Sequence, residues 1–325
     1  MATILEPEST TALNSSTSNA STRLRENFIA CRLKFNFLGV SKTLTADQKR
    51  LAAQSFDADG ESNSAGKKLI NTKHDAWKAL TSVRSQATKF WKENSLPYPD
   101  SGIRLIKQDY IERFDATFAD YREQLEAGVR MLDEQFAEIK EAARLRLGSL
   151  FDLADYPNSL IDEFGIEWDF PEVNPPSYLQ RLNPEVYADQ ARRVSQRFDQ
   201  AIEMAESAFI EELDKLVNHL AERLAGDDDG KPKIFRDSAV TNMSEFFTRF
   251  RDLNIRSNDQ LDDLVERCEG LMRGFQPQSL RDNDGLRRSL STKLSSVQSS
   301  LDQLIVNRPR RNIIRPPRPD QSRDQ

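Results

Sequence analysis

The chain has 325 residues, 46 Lys plus Arg against 52 Asp plus Glu, and a formal net charge of −6. Charged residues make up 30% and apolar residues 38%, against roughly 25% and 45–50% in ordinary globular domains, and only 12 glycines and 2 histidines occur. These counts argue against a glycine-rich nucleotide fold, a turn-rich all-β fold, a disulfide scaffold and a Cys/His metal site, and they suit long, charged, amphipathic helices.

Residues 9–22 hold nine Ser or Thr in fourteen positions. Such a segment buries too little apolar surface to offset its ordering entropy, so residues 1–24 are read as disordered. The clearest strand follows, where Cys31, Leu33, Phe35 and Phe37 alternate with Arg32, Lys34 and Asn36. Thr45 with Gln48 three residues on predicts a capped short helix. Residues 57–66 read as a polar loop. A helix is expected from Thr72 to Asn94, with Trp77, Leu80, Ala87, Phe90 and Trp91 at helical spacing, ended by the Leu96-Pro97-Tyr98-Pro99 segment. Ile103 to Ile106 reads as a second strand.

Ile111, Phe118, Leu125, Leu132 and Ile139 then fall seven apart, and no proline interrupts 107–156. This predicts one helix over 107–150. A second long helix, 183–225, starts at the cap Asn183 with Pro184 after it. Their equal lengths suggest an antiparallel, coiled-coil-like hairpin. The connection is read as a short helix over 157–164 and a strand at 166–170. Gly226 and the run Asp227-Asp228-Asp229-Gly230 end the second helix in a polar turn. Three shorter helices are expected at 238–253, 258–273 (capped by Ser257, closed by Gly274 and Pro277) and 283–306. The expected fold class is therefore mainly α: a helical hairpin, a small sheet from 29–38, 102–106 and 165–170, and a C-terminal short-helix bundle. The expected division is a disordered 1–24, a body of 25–230, a helical region of 231–307 and a disordered tail of 308–325.

No recognised catalytic or cofactor motif is intact. Gly60 to Lys68 imitates a phosphate-binding loop, but five residues separate the glycines instead of four, and Lys68 stands where a hydroxyl should hold magnesium. Asp57 to Glu61 imitates a calcium loop with its glycine two positions early. His74 and His219 lie in no ligand spacing, and no Glu precedes either by three residues, so a di-iron bundle is not indicated. Cys31 and Cys268 read as core thiols in a reducing compartment. No secretory signal and no membrane-spanning apolar run is visible, and a cytoplasmic location is expected. The tail carries six Arg and two Asp, a charge near +4, which leaves the body near −10. Arg308, Arg310, Arg311, Arg315 and Arg318, interleaved with prolines, form the candidate contact for a protein partner or for nucleic-acid phosphates. The acidic body opposes broad nucleic-acid coating.

Three functional readings stand side by side: a non-enzymatic assembly or adaptor protein acting through the hairpin or tail, with a protein partner or a second copy of itself; a nucleic-acid-associated protein acting through the tail; and an enzyme with a site near Trp77, Trp91, Tyr98 and Trp168. No cofactor or metal is expected. The order of features over 28–150, an early strand, a loop, Lys68-Leu69-Ile70, the helix from Trp77 to Ser85 and a long charged helix, resembles an uncharacterised bacterial and phage domain-of-unknown-function family. That resemblance implies an association with AAA+ ATPases and von Willebrand-type proteins, in an adaptor or substrate role, and it carries over no site residues.

Overall fold

The computed structural model describes residues 20–54, 64–225 and 237–306. The chain is mainly helical with a small antiparallel sheet. It divides into two compact units, one from residues up to 205 together with 253–257, the other from 206–252 and 258 onward.

The first unit opens with a helix over residues 20–27 (α1) that runs directly into β1 (Phe28–Asn36). Residues 20–24, expected to be disordered, are thus helical. Ala20 and Leu24 supply the reason, since both side chains are fully buried. Next come β2 (Ser41–Thr43), α2 (Ala46–Gln54) and β3 (Gly66–Lys68). The capping box forms as its residues predict: Thr45 N–H donates to Gln48 Oε1 at 3.1 Å and Gln48 N–H to Thr45 Oγ1 at 3.3 Å. After α3 (Asp75–Glu93) follow β4 (Leu96–Pro97), β5 (Ile103–Lys107), α4 (Ile111–Glu134), α5 (Phe136–Leu147), β6 (Gly165–Asp169), α6 (Ser177–Leu182) and α7 (Pro184–Ala225), the last shared with the second unit.

The main sheet has the order β4-β5-β1-β6, with every pairing antiparallel. The three predicted strands form it, and β4 adds an edge. β1 is central, and its period-two pattern decides which residues meet which layer. Cys31 and Leu33 join one buried cluster with Trp77 and Leu80 of α3 and with Phe114 and Phe118 of α4. Phe90 of α3 lies against Phe114, Phe118 and Tyr121 with ring centroids 5.7–6.1 Å apart. Burying each such ring contributes about 1.5–3 kcal/mol. At Gly128 α4 comes close to α3: a Cβ there would lie 2.7 Å from Leu80 Cδ2.

The opposite face of β1 is apolar at its start and charged at its end. Phe28 and Ala30 are buried, and Leu105 pairs with Ala30 and Leu96 with Leu105 across the strands. Phe198 of α7 lines a concavity together with Phe28 and Ala30. Further along, Arg32 makes two hydrogen bonds of 2.9 and 2.6 Å to the carboxylate of Asp169, directly opposite on β6. The stripe of α4 is covered by α3 and the core face of the sheet, while Phe198 meets the other face. The α4 stripe therefore needs no antiparallel hairpin of the two long helices to bury it.

The single helix expected over 107–150 is shorter and interrupted. Residues 103–107 are strand, and Gln135 (φ −94°, ψ 0°) separates α4 from α5, its N–H bonding three residues back to Leu132. The interruption sits beside a docked loop: the Asp133 carboxylate accepts from Leu160 N–H at 2.7 Å and from Ser159 Oγ at 3.2 Å. That anchoring also corrects the short helix expected at 157–164. The segment is a series of turns whose Leu160 and Phe164 fill the core. Asn183 caps α7 as predicted, accepting from Val186 N–H at 3.2 Å.

In the second unit, Phe209 of α7 meets Phe246 and Phe250 of α8 (Ser238–Leu253) with centroids 6.3 and 5.0 Å apart, and Arg249 pairs with Glu212. α9 (Asp259–Met272) packs on α11 (Asp284–Val306), with the short α10 (Pro277–Asp282) between them in sequence. The cap of α9 is Asn258, whose Oδ1 accepts from Leu261 N–H at 3.0 Å, one residue after the expected Ser257. The helix expected at 283–306 is α11, capped by Asn283.

Candidate functional site

A polar concavity of the first unit lies where α1 meets β1. Arg23, on the last turns of α1, donates from its guanidinium to the carbonyl of Ile255 at 3.2 Å and so ties residues 253–257 to this end of the sheet. Arg256 has φ +51°, and no other non-glycine among the described residues has positive φ. Asn254 Oδ1 accepts from Arg256 N–H at 2.9 Å, an Asx-type turn that supports the left-handed residue. β5 ends opposite Phe28 at Lys107. Arg23, Lys107 and Arg256 thereby surround an open cavity of about 660 Å³ whose one acidic lining residue is Asp109. Among the described residues, none of these three cations has a carboxylate partner. A second concavity of about 290 Å³ shares Phe28 and Gln108 with the first and is lined by Phe170, Pro171, Val173 and Phe198. The Arg25 guanidinium lies 5.0 Å from the centroid of the Phe198 ring.

A different kind of surface follows β6. Tyr178, Leu182 and Val186, on α6 and the first turn of α7, are 54%, 76% and 42% exposed. Three large apolar side chains are thus exposed within nine residues, and such a cluster, where it forms one patch, marks an interaction surface.

Of the four aromatics proposed as an enzyme site, Trp77, Trp91 and Trp168 belong to or pack on one apolar cluster, and Tyr98 packs elsewhere. Trp77 packs edge-on against Phe164, and Trp168 lies on Phe118 and donates from Nε1 to Asp115 at 2.7 Å. Trp91 lies beside the Arg104 guanidinium and the Cys31 thiol, and Tyr98 packs on Phe198. Each is core or half-buried packing, and none lines the two cavities above. Arg104 is held by Ser95 Oγ at 2.7 Å and the Ser95 carbonyl at 2.8 Å, and burial pulls its guanidinium down to about 10. Cys31 and Cys268 are buried free thiols, as expected, and burial pushes each up to about 12, far from a thiolate nucleophile. His74 stands at the start of α3 and His219 is exposed on α7. Among the described residues, no group of three or more His, Cys, Asp or Glu is arranged to hold a metal, and no helix is long and apolar enough to cross a membrane.

Arg308, Arg310, Arg311, Arg315 and Arg318 lie outside the described residues, as do the Gly60 end of the loop-like motif, Asp57 to Glu61 and the Asp227-to-Gly230 turn. The cationic cavity was not anticipated. Its members sit at positions 23, 107 and 256, and no local spacing links them. Asn254 two residues before Arg256 is the one local sign, because an Asn in that place favours a turn. Compared with family models, with curated proteins and with solved structures, the chain finds no match in any of the three.

Proposed function

We propose that this chain is a non-enzymatic assembly or adaptor protein that binds a protein partner or a second copy of itself. The observation that carries this reading is the exposed apolar trio Tyr178, Leu182 and Val186, which costs solvation free energy unless another surface covers it. The AAA+ association implied by the order of features over 28–150 makes a ring-forming ATPase the first partner to try.

Light scattering of the purified chain, together with crosslinking in cells, tests the reading. Tyr178→Glu with Leu182→Glu should abolish the oligomer or the crosslinked partner. A monomer with no crosslinked partner would count decisively against it. A second reading rests on the Arg/Pro sequence of 308–325: binding to nucleic-acid phosphates. It requires an affinity that falls steeply with salt and vanishes when 308–325 is deleted.

A further inference from the structure

We infer that the cationic cavity beside β1 is a binding site for a soluble organic phosphate, a phosphate monoester whose apolar body lies against Phe170. Arg23, Lys107 and Arg256 face one carboxylate, Asp109, so the lining carries two positive charges in excess, which match a phosphate dianion. Two of the three cations are guanidinium groups, whose planar forks suit phosphate oxygens better than an ammonium does.

Arg256 holds a backbone conformation that disfavours any residue with a Cβ, and side chains in that state gather where a structure has a use for their direction. The Asn254 turn and the Arg23 bond to Ile255 hold the segment in place from two sides. Lys107 and Arg256 make no side-chain hydrogen bond or ion pair among the described residues, so their donors remain available to a ligand.

The two cavities adjoin. They share Phe28 and Gln108, and the smaller one is lined by Phe170, Pro171 and Val173 together with Arg25, Glu172 and Asn174. Phe170 is 38% exposed and lines that space, with its ring edge-on to Phe114. A ligand with its phosphate between Lys107 and Arg256 can therefore extend its apolar portion onto Phe170. The combined dimensions fall within the range of ligand pockets, about 300–1,000 Å³.

Isothermal titration of the full chain with phenyl phosphate and with inorganic phosphate tests the site. Phenyl phosphate should bind saturably and more tightly than inorganic phosphate. Lys107→Gln and Arg256→Gln should each weaken it on the order of tenfold, the loss of a charge-assisted contact. Phe170→Ser should weaken phenyl phosphate toward the inorganic value and leave inorganic phosphate unchanged. Tryptophan emission, reporting on Trp77, Trp91 and Trp168 of the same unit, verifies that each variant is folded. Absence of saturable phenyl phosphate binding overturns the assignment, as does equal binding by wild type and both charge variants. Equal affinity for the two phosphates overturns the apolar half of it.

Discussion

Replacing Asp155 tests whether a buried ion pair holds the small β2–β3 sheet to the rest of the first unit. Lys42 and Lys67 lie opposite each other across that sheet, and each ammonium is 2.5 Å from a different oxygen of the Asp155 carboxylate. The three side chains are not equally buried: Lys67 is 4% exposed, Asp155 3% and Lys42 57%. Asp155→Asn keeps the volume and removes the charge. Lys42 can then turn to water, but Lys67 keeps only neutral acceptors, the Leu150 carbonyl at 2.7 Å and the new amide oxygen, with no counter-charge beside it. Breaking a buried pair in this way costs about 3–5 kcal/mol. Lys42→Met leaves the buried pair intact and should cost under about 1 kcal/mol, the range of exposed ion pairs. The double replacement Lys67→Met with Asp155→Leu removes both buried charges, so it should cost less than Asp155→Asn alone.

Urea unfolding followed by tryptophan fluorescence is the suitable assay, because all three tryptophans lie in the first unit and report on it. The pH dependence supplies an independent check. Hydrogen bonds from Lys42 and then Lys67 hold the Asp155 carboxyl below its ordinary value. Its contribution is therefore complete above the unfolded value, about 3.9, and disappears as pH falls through the lower folded value. The deficit of Asp155→Asn should accordingly be constant near neutrality and shrink in acid. A deficit under about 1 kcal/mol at neutral pH, or a Lys42→Met variant as unstable as Asp155→Asn, would refute the reasoning.

Three further outcomes are expected. Gly128→Ala should destabilise the first unit by about 1 kcal/mol, because overpacking against Leu80 exceeds the gain in helix propensity, yet the same substitution should stabilise a Leu80→Ala background; equilibrium unfolding of the four combinations decides it. Asn258→Ala should cost about 1 kcal/mol of helical stability in the second unit and Ser257→Ala less than half of that, measured by far-ultraviolet circular dichroism, and the reverse order would relocate the cap. Neither Cys31 nor Cys268 should react with a thiol reagent at pH 8 in the folded chain, whereas both should react in guanidinium; prompt labelling of the native protein would contradict their burial.

Local signals proved reliable wherever a local interaction decides the structure. The alternation of Cys31 to Phe37 encodes a strand with one core face, and the Thr45–Gln48 and Asn183–Pro184 pairs encode helix starts that form as written. The seven-residue spacing from Ile111 to Leu132 likewise encodes a buried stripe, but it does not say what covers it. Equal helix length suggested the other long helix. The covering surface is instead α3 and the sheet, because Gly128 lets Leu80 approach and Phe90 fits among Phe114, Phe118 and Tyr121. The turns at 157–164 depend on Asp133, more than twenty residues away, so helical propensity within that segment could not reveal them. The same limit applies to the cationic cavity, whose three charges come together through the Arg23–Ile255 bond across 232 positions.

Net charge illustrates the difference between the chain and its site most directly. An acidic body argues against coating a nucleic acid, whose phosphates extend over many screening lengths and would meet the acidic surface along most of their path. The argument does not extend to a compact anion. At physiological ionic strength charges are screened over about 8 Å, so a single phosphate responds to its immediate neighbours. At this cavity those neighbours are Arg23, Lys107 and Arg256, with Asp109 opposing them. The excess of carboxylates elsewhere acts at longer range, where screening leaves it a small effect on a compact anion. A chain of net charge −6 can thus disfavour a polyanion and still admit a small phosphate, and phenyl phosphate should bind where an oligonucleotide of the same total concentration of phosphate does not compete for the cavity. Effective competition by such an oligonucleotide in a chain lacking 308–325 would show that the acidic surface offers no such protection.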